Sequence, residues 1–201
     1  MSKAKSGSWF LVGLFLLVFA GWAAAEEKAA VPFPPELQNI LDRKKETFKT
    51  LLKDPQVLDA VRAANAAHAN ITQPEIEQLD KKWASVPATD PFIQQFMTNG
   101  CANRLKTFQG EQKGYAEIFI ADGKGLNVCQ TDKTSDYYQA DEKWWINSFK
   151  AGAGEERQGQ IEYDESSQTE AISVYIPVMD DSKAIGVAKV VVDIGVIKEE
   201  L

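Results

Sequence analysis

The chain is poor in the residues that do chemistry. Its 201 residues include one histidine, His68, and two cysteines, Cys101 and Cys129. With a single histidine the usual general bases are scarce. Neither cysteine has a CxxC partner, so the ligands for a zinc site are not there. No Ser/His/Asp set, metal cluster or phosphate-binding loop can be assembled. The carboxylate pairs Asp164-Glu165 and Asp180-Asp181 lack the loop pattern of a calcium site such as the EF-hand. A strand-end turn explains Asp164-Glu165. His68 lies in an Ala/Asn-rich stretch without another ligand nearby and reads as a surface histidine. An enzyme is therefore not expected, nor a metal or a cofactor. Basic charge is short as well: 22 Lys and Arg stand against 29 Asp and Glu, a net charge of −7. That argues against a nucleic-acid partner or docking on anionic lipid.

Long apolar runs are confined to the start. Lys3 and Lys5 precede Trp9 to Trp22, and Ala23-Ala24-Ala25 meets the small-x-small cleavage rule. Residues 1–25 read as a cleaved signal peptide and predict a periplasmic protein. The alternative is an uncleaved inner-membrane anchor, since an apolar run of about 17 residues is at the low edge of a membrane span. An oxidising compartment would permit a disulfide between Cys101 and Cys129; two buried free thiols are the alternative.

Residues 26–35 read as a proline-containing linker, and residues 36–90 as a helical region. Leu37, Ile40, Leu41, Phe48, Leu51 and Leu52 recur at helical spacing. Asp54-Pro55 ends that helix and starts the next. Thr72 and Glu75 form a capping box, with Ile71 and Ile76 as its hydrophobic staple. Asp90-Pro91 opens a fourth helix carrying Ile93, Met97, Cys101, Leu105 and Phe108 on one face. Nothing in this half carries chemistry.

The remainder alternates as strands do. Ala116, Ile118 and Ile120 share one face of their strand, and Tyr115, Glu117 and Phe119 the other. Asp122-Gly123-Lys124-Gly125 is a hairpin turn. Ile172, Val174 and Ile176 oppose Ser173 and Tyr175; Ala188, Val190 and Val192 oppose Val187, Lys189, Val191 and Asp193. Each strand thus has an apolar face, expected to pack on the fourth helix, and a mixed face. Between the second and third strands lies TSDYYQADEKWWINSF. Tyr137, Tyr138, Trp144 and Trp145 in it can roof the mixed face as a lid, with a small ligand beneath. Glu117, Phe119, Ser173, Tyr175 and Lys189 would be its floor. Lys189 is the expected anchor for a carboxylate, and Glu117 or Asp193 for an amine.

The run GYAEIFIADGKGLNV, then TSDYYQADEKWW, EYDESS and ISVYIPVMDDSKAIGVAKVVVDI, resembles the Cache (PDC, PAS-like) extracytoplasmic sensor domains of bacterial chemoreceptors and sensor kinases. The resemblance covers roughly Asn65 to Ile194. It implies an α+β fold: a five-stranded antiparallel sheet with a long N-terminal helix on one face and a ligand pocket on the other, over residues 91–201. It places Tyr137, Tyr138, Trp144 and Trp145 in the pocket-forming segment, and Tyr163, Tyr175 and Lys189 on pocket-lining strands. The last strand of such receptors continues into a transmembrane helix; here the sequence stops at Leu201. The expectation is a module that binds a small polar metabolite (amino acid, carboxylate or amine) and presents it to a separate membrane receptor, sensor kinase or transporter. The alternative is a ligand-free module that regulates a membrane partner.

Overall fold

The computed structural model describes residues 33–164 and 169–201. The signal-peptide reading, most of the linker and the Glu165 carboxylate lie outside them. Among these residues seven α-helices and five strands run in the order α1 (Pro35–Leu52), α2 (Pro55–Ala67), α3 (Gln73–Ser85), α4 (Pro91–Met97), α5 (Gly100–Glu111), β1 (Tyr115–Asp122), β2 (Asn127–Gln130), α6 (Lys143–Phe149), β3 (Arg157–Asp164), β4 (Thr169–Asp180), β5 (Lys183–Asp193) and α7 (Ile194–Lys198). The strands form one antiparallel sheet in the order β2-β1-β5-β4-β3. This is the expected α+β architecture.

The starts of the helices follow the sequence closely. Asp54 and Asp90 each accept a hydrogen bond from the backbone N–H two residues on, at 2.9 and 2.8 Å, and each precedes a proline in the first turn. Glu75 closes its capping box on the Thr72 N–H at 2.8 Å, satisfying an orphan donor.

The apolar sheet face is covered by more than the fourth helix, contrary to the sequence reading. Leu41, Phe48 and Leu51 of α1 and Val57 and Val61 of α2 share one core with Leu105 and Phe108 of α5. Ile118, Ile120, Val174, Ile176, Val190 and Val192 supply the sheet side. Residues 36–90 are therefore split between this core and a second one.

The fourth helix itself breaks. Its stripe was expected to run unbroken from Ile93 to Phe108, but Asn99 ends one segment and caps the next, its Oδ1 accepting from the Ala102 N–H at 2.8 Å. Asn is among the strongest N-cap residues. The break sends the two halves of the stripe to different cores. Cys101, Leu105 and Phe108 join the sheet; Ile93 joins Ile76, Trp83, Leu126 and Tyr137. Trp83 is fully buried there, and its indole N–H donates to the Thr134 carbonyl at 2.8 Å. Cys101 and Cys129 are joined as a disulfide, Cα atoms 5.8 Å apart, tying α5 to β2.

The β1–β2 connection needs glycine at one place. Gly125 has φ +78, and a Cβ there would stand 2.5 Å from the Ala140 backbone nitrogen. Another residue would both strain the turn and push away the segment leading to α6.

Candidate functional site

Register decides which side chains share the mixed face. Directly opposed residues in an antiparallel sheet point the same way. Gln130 opposes Phe119, Phe119 opposes Lys189, Lys189 opposes Tyr175, and Tyr175 opposes Arg157. One row thus crosses all five strands. The row beside it holds Glu117, Val191 and Ser173, and the row on its other side Ala121, Val187 and Pro177.

Helix α6 lies over these rows. The Trp144 ring stacks on Tyr175, centroids 5.1 Å apart and planes 16° from parallel, and meets Phe119 edge-on at 5.8 Å. The Lys189 ammonium sits 5.7 Å from the centroids of both Phe119 and Trp144. That is cation–π range, so part of the desolvation of Lys189 is offset by ring quadrupoles. Trp145 is buried against Ala121 and Val187, with Phe149 stacked on it at 4.6 Å. Burial pushes the Tyr175 hydroxyl above the usual tyrosine range, and the negative charges of Glu162 and Glu142 push the same way.

The floor and the lid do not satisfy one another. Gln130 is fully buried, and neither its amide nitrogen nor its amide oxygen makes a hydrogen bond. The Trp145 indole N–H and the Ser148 hydroxyl, both buried on α6, are also without one. Each such group costs about 1–3 kcal/mol against its hydrated state.

Of the residues expected at the site, the structure gathers Phe119, Trp144, Trp145, Tyr175 and Lys189, with Glu117 and Ser173 one row away. Tyr137 is not part of the lid. It belongs to the second core, stacked on Trp83 at 5.5 Å and beside Phe96 at 5.4 Å. Tyr138 packs at the edge of that core. The cause is Asp80 of α3, whose Oδ1 accepts from both the Tyr137 and the Tyr138 N–H, at 2.8 and 3.1 Å. The chain is pinned there before it turns towards α6. Tyr163 is 59 % exposed and lines, with Ser173 and Tyr175, a cavity of only about 110 Å³. Asp193 is no amine anchor: its Oδ1 accepts from the Gly195 and Val196 N–H groups and from the Thr169 hydroxyl. Asp180 is likewise engaged, by Arg62 at 2.6 and 2.9 Å.

Two features escaped the sequence reading. Gln130 ends β2, and nothing in the local pattern marks it as buried. His68 is not a surface histidine: its Nδ1 is 2.6 Å from Oδ2 of the fully buried Asp122, and its Nε2 is 3.5 Å from the Tyr137 hydroxyl. Asp122 lies 54 positions away, beyond the reach of local pattern.

No family model and no curated protein sequence matches the chain. It is similar in structure to the sensor domain of the histidine kinase DctB from V. cholerae, with TM-score 0.40, 18% identity, 82% of this chain covered and 55% of that one. The sensory domain of the Campylobacter jejuni chemoreceptor Tlp3, with isoleucine bound, gives TM-score 0.40 and 16% identity, covering 84% of this chain and 67% of that one. The E. coli DcuS sensor domain gives TM-score 0.38 and 16% identity, covering 63% and 92%. The chain spans about half the length of the DctB domain.

Proposed function

We propose that the chain is a periplasmic ligand-binding module of the Cache type that takes a small polar metabolite between the mixed sheet face and α6. It would present that ligand to a separate signalling or transport partner in the membrane. The reading treats the N-terminal 25 residues as a cleaved export signal. No helix among the described residues is long and apolar enough to cross a membrane.

One observation carries the reading: buried polar groups of Gln130, in the row with Phe119 and Lys189, and of Trp145 and Ser148 on α6 make no hydrogen bond. A ligand that supplies donors and acceptors there converts a cost into binding energy. Lys189, two strands from Gln130 in the same row, supplies a positive charge for a carboxylate. Phe119, Trp144 and Tyr175 enclose an apolar body or an ammonium group. Binding requires Trp144 to leave its stack on Tyr175, because the free space beside that stack is only about 110 Å³, below the 300–1,000 Å³ of a typical ligand site.

The filled lid also favours a second reading, a ligand-free module whose aromatic cap is permanently closed and which regulates a membrane partner. A thermal-shift screen of the exported protein with amino acids, small carboxylates and amines separates the two. A ligand bound only by the folded state raises its stability. With a hit in hand, Lys189→Ala is expected to weaken an anionic ligand by about 2–5 kcal/mol in calorimetric titration. Trp145→Ala is expected to weaken ligands whatever their charge. No shift with any compound would support the ligand-free module. Undiminished binding to Lys189→Ala would remove Lys189 as the anchor.

A further inference from the structure

Backbone strain is concentrated in the turn that follows α6. Of the three non-glycine residues with positive φ among the described residues, two stand side by side there, Lys150 at +49 and Ala151 at +51. Gly152 and Gly154 follow at +88 and +72. A helix commonly ends on one left-handed residue, and that residue is usually glycine. Here a lysine and then an alanine hold a conformation in which Cβ crowds the following carbonyl. Residues held so persist only where their surroundings over-determine them, and they gather at ligand clamps and switches.

The surroundings fasten α6 before and after. Gly154 is wedged against the β4–β5 hairpin: a Cβ on it would stand 3.0 Å from the Met179 sulfur and 3.1 Å from Pro177 Cβ. The turn closes back on the helix, the Glu155 N–H donating to the Ser148 carbonyl at 2.8 Å and the Gly154 N–H to the Phe149 carbonyl at 3.1 Å. Glu155 also pairs with Lys150 and Arg157. Ahead of α6, the Gln139 N–H donates to the Gly125 carbonyl at 2.7 Å. Between these fastenings, ring packing holds the helix to the sheet: Trp144 on Tyr175 and Phe119, Trp145 on Ala121 and Val187. On the same inward side, one turn apart, the Trp145 indole N–H and the Ser148 hydroxyl are buried without a hydrogen bond. Rotation of α6 away from the sheet about its two fastenings would hydrate both groups. It would also let Lys150 and Ala151 return to negative φ. Two independent features of the cap thus oppose its closure, against the ring contacts that favour it.

We propose that α6 is a self-opening cap: it lifts and recloses without a ligand while the rest of the domain stays folded, and Lys150–Ala151 is its hinge. Its role rests on the α6 face being a ligand site, since the space of about 110 Å³ beside the Trp144–Tyr175 stack is too small for a metabolite until the cap lifts. The motion itself needs no ligand, because its driving terms are internal to the cap and its turn.

The test is thiol labelling of the folded, exported protein. Cys101 and Cys129 are joined, so a thiol introduced by Ser148→Cys is the one free thiol of the chain. Ala121→Cys places a second probe on the floor beneath Trp145, and Val190→Cys a control in the core against α1; all three positions are buried. Thermal denaturation confirms that each variant is folded. The labelling rate reads the population of the open form. Ser148→Cys and Ala121→Cys are expected to label at least about a hundredfold faster than Val190→Cys. Adding Ala151→Gly, which removes the left-handed strain, should slow both by about threefold or more, and Ala151→Val should hasten both. Asp181→Gly, at the third positive-φ position, should leave both unchanged. Labelling as slow as in Val190→Cys overturns the proposal, since α6 then opens only when the whole fold does. So does a rate that Ala151→Gly leaves unchanged, or that Asp181→Gly slows as much. Fast labelling that depends on Ala151, in a protein for which the thermal-shift screen returns no ligand, would keep the hinge and remove the ligand-binding reading.

Discussion

The sheet has one face against α1, α2 and α5 and the other against α6. On the first, aliphatic residues from three strands meet Phe48, Leu51, Val61 and Leu105, and a disulfide anchors α5. Of the five buried polar atoms without a hydrogen bond among the described residues, one, Asn127 Oδ1, lies at the start of β2, and the other four belong to Gln130, Trp145 and Ser148. On the second, a seven-residue helix covers a lysine in a row that ends on a buried glutamine of β2. The amide of that glutamine, an indole N–H and a hydroxyl there make no hydrogen bond. Both faces are made by the same strands, whose residues alternate between them. The difference therefore comes from which side chains were put on each face, not from backbone geometry. A face built for stability alone would not bury polar atoms without partners. The α6 face is the one where stability has been given up.

That contrast can be broken most severely on the helix side. Phe48 is 1 % exposed and packs against Phe108 and Tyr115, with ring centroids at 5.7 and 6.2 Å. Phe48→Ala is expected to cost about 3–5 kcal/mol through lost transfer energy and the cavity left behind. Urea denaturation measures it. A loss below about 1 kcal/mol would mean that α1 is not an integral layer of this core.

On the α6 side the same kind of experiment should give the opposite sign. Gln130→Leu replaces an amide that makes no hydrogen bond with an apolar side chain of similar size. Removing two unsatisfied atoms should leave stability unchanged or raise it by about 1 kcal/mol. Affinity for any ligand found under α6 should fall. If Gln130→Leu destabilises the protein as a core truncation does, the amide is satisfied in solution and the two faces are alike.

The two faces were legible in the sequence because period-two alternation is a direct property of the extended chain. Ile118, Ile120, Val174, Ile176, Val190 and Val192 all fall where alternation puts them. What could not be read was where the helices and the aromatic segment go. The stripe from Ile93 to Phe108 keeps helical phase across Thr98-Asn99, so periodicity alone did not reveal the Asn99 cap. Tyr137 and Trp144 stand seven positions apart in one aromatic run, yet they serve separate cores, because Asp80, far off in sequence, holds the Tyr137 and Tyr138 backbone. His68 needed Asp122 for the same reason. Local pattern fixes the face of a residue; a single long-range hydrogen bond fixes its neighbourhood.

The smallest expected effect tests whether polar groups on the helix side are as well matched as its apolar ones. Asp54 caps α2 and also accepts from Arg104 Nε of α5 at 2.8 Å. The hydrogen bond from Arg104 holds its carboxyl below the usual aspartate range, burial opposes this, and the Gln56 N–H assists. A carboxyl depressed by folding contributes stability above its unfolded value, about 3.9, and that contribution is lost as the pH falls through the folded value. Asp54→Asn keeps a good N-cap but removes the ion pair, which is about a quarter exposed and so worth no more than about 1 kcal/mol. Parent and variant are expected to differ by that amount at pH 7 and to converge below about pH 4 as the parent's carboxyl is protonated. Urea midpoints from pH 7 to pH 2.5 follow this. A difference that stays constant across the range would assign the effect to capping geometry, and Arg104 would be left with no electrostatic part in holding α5 to α2.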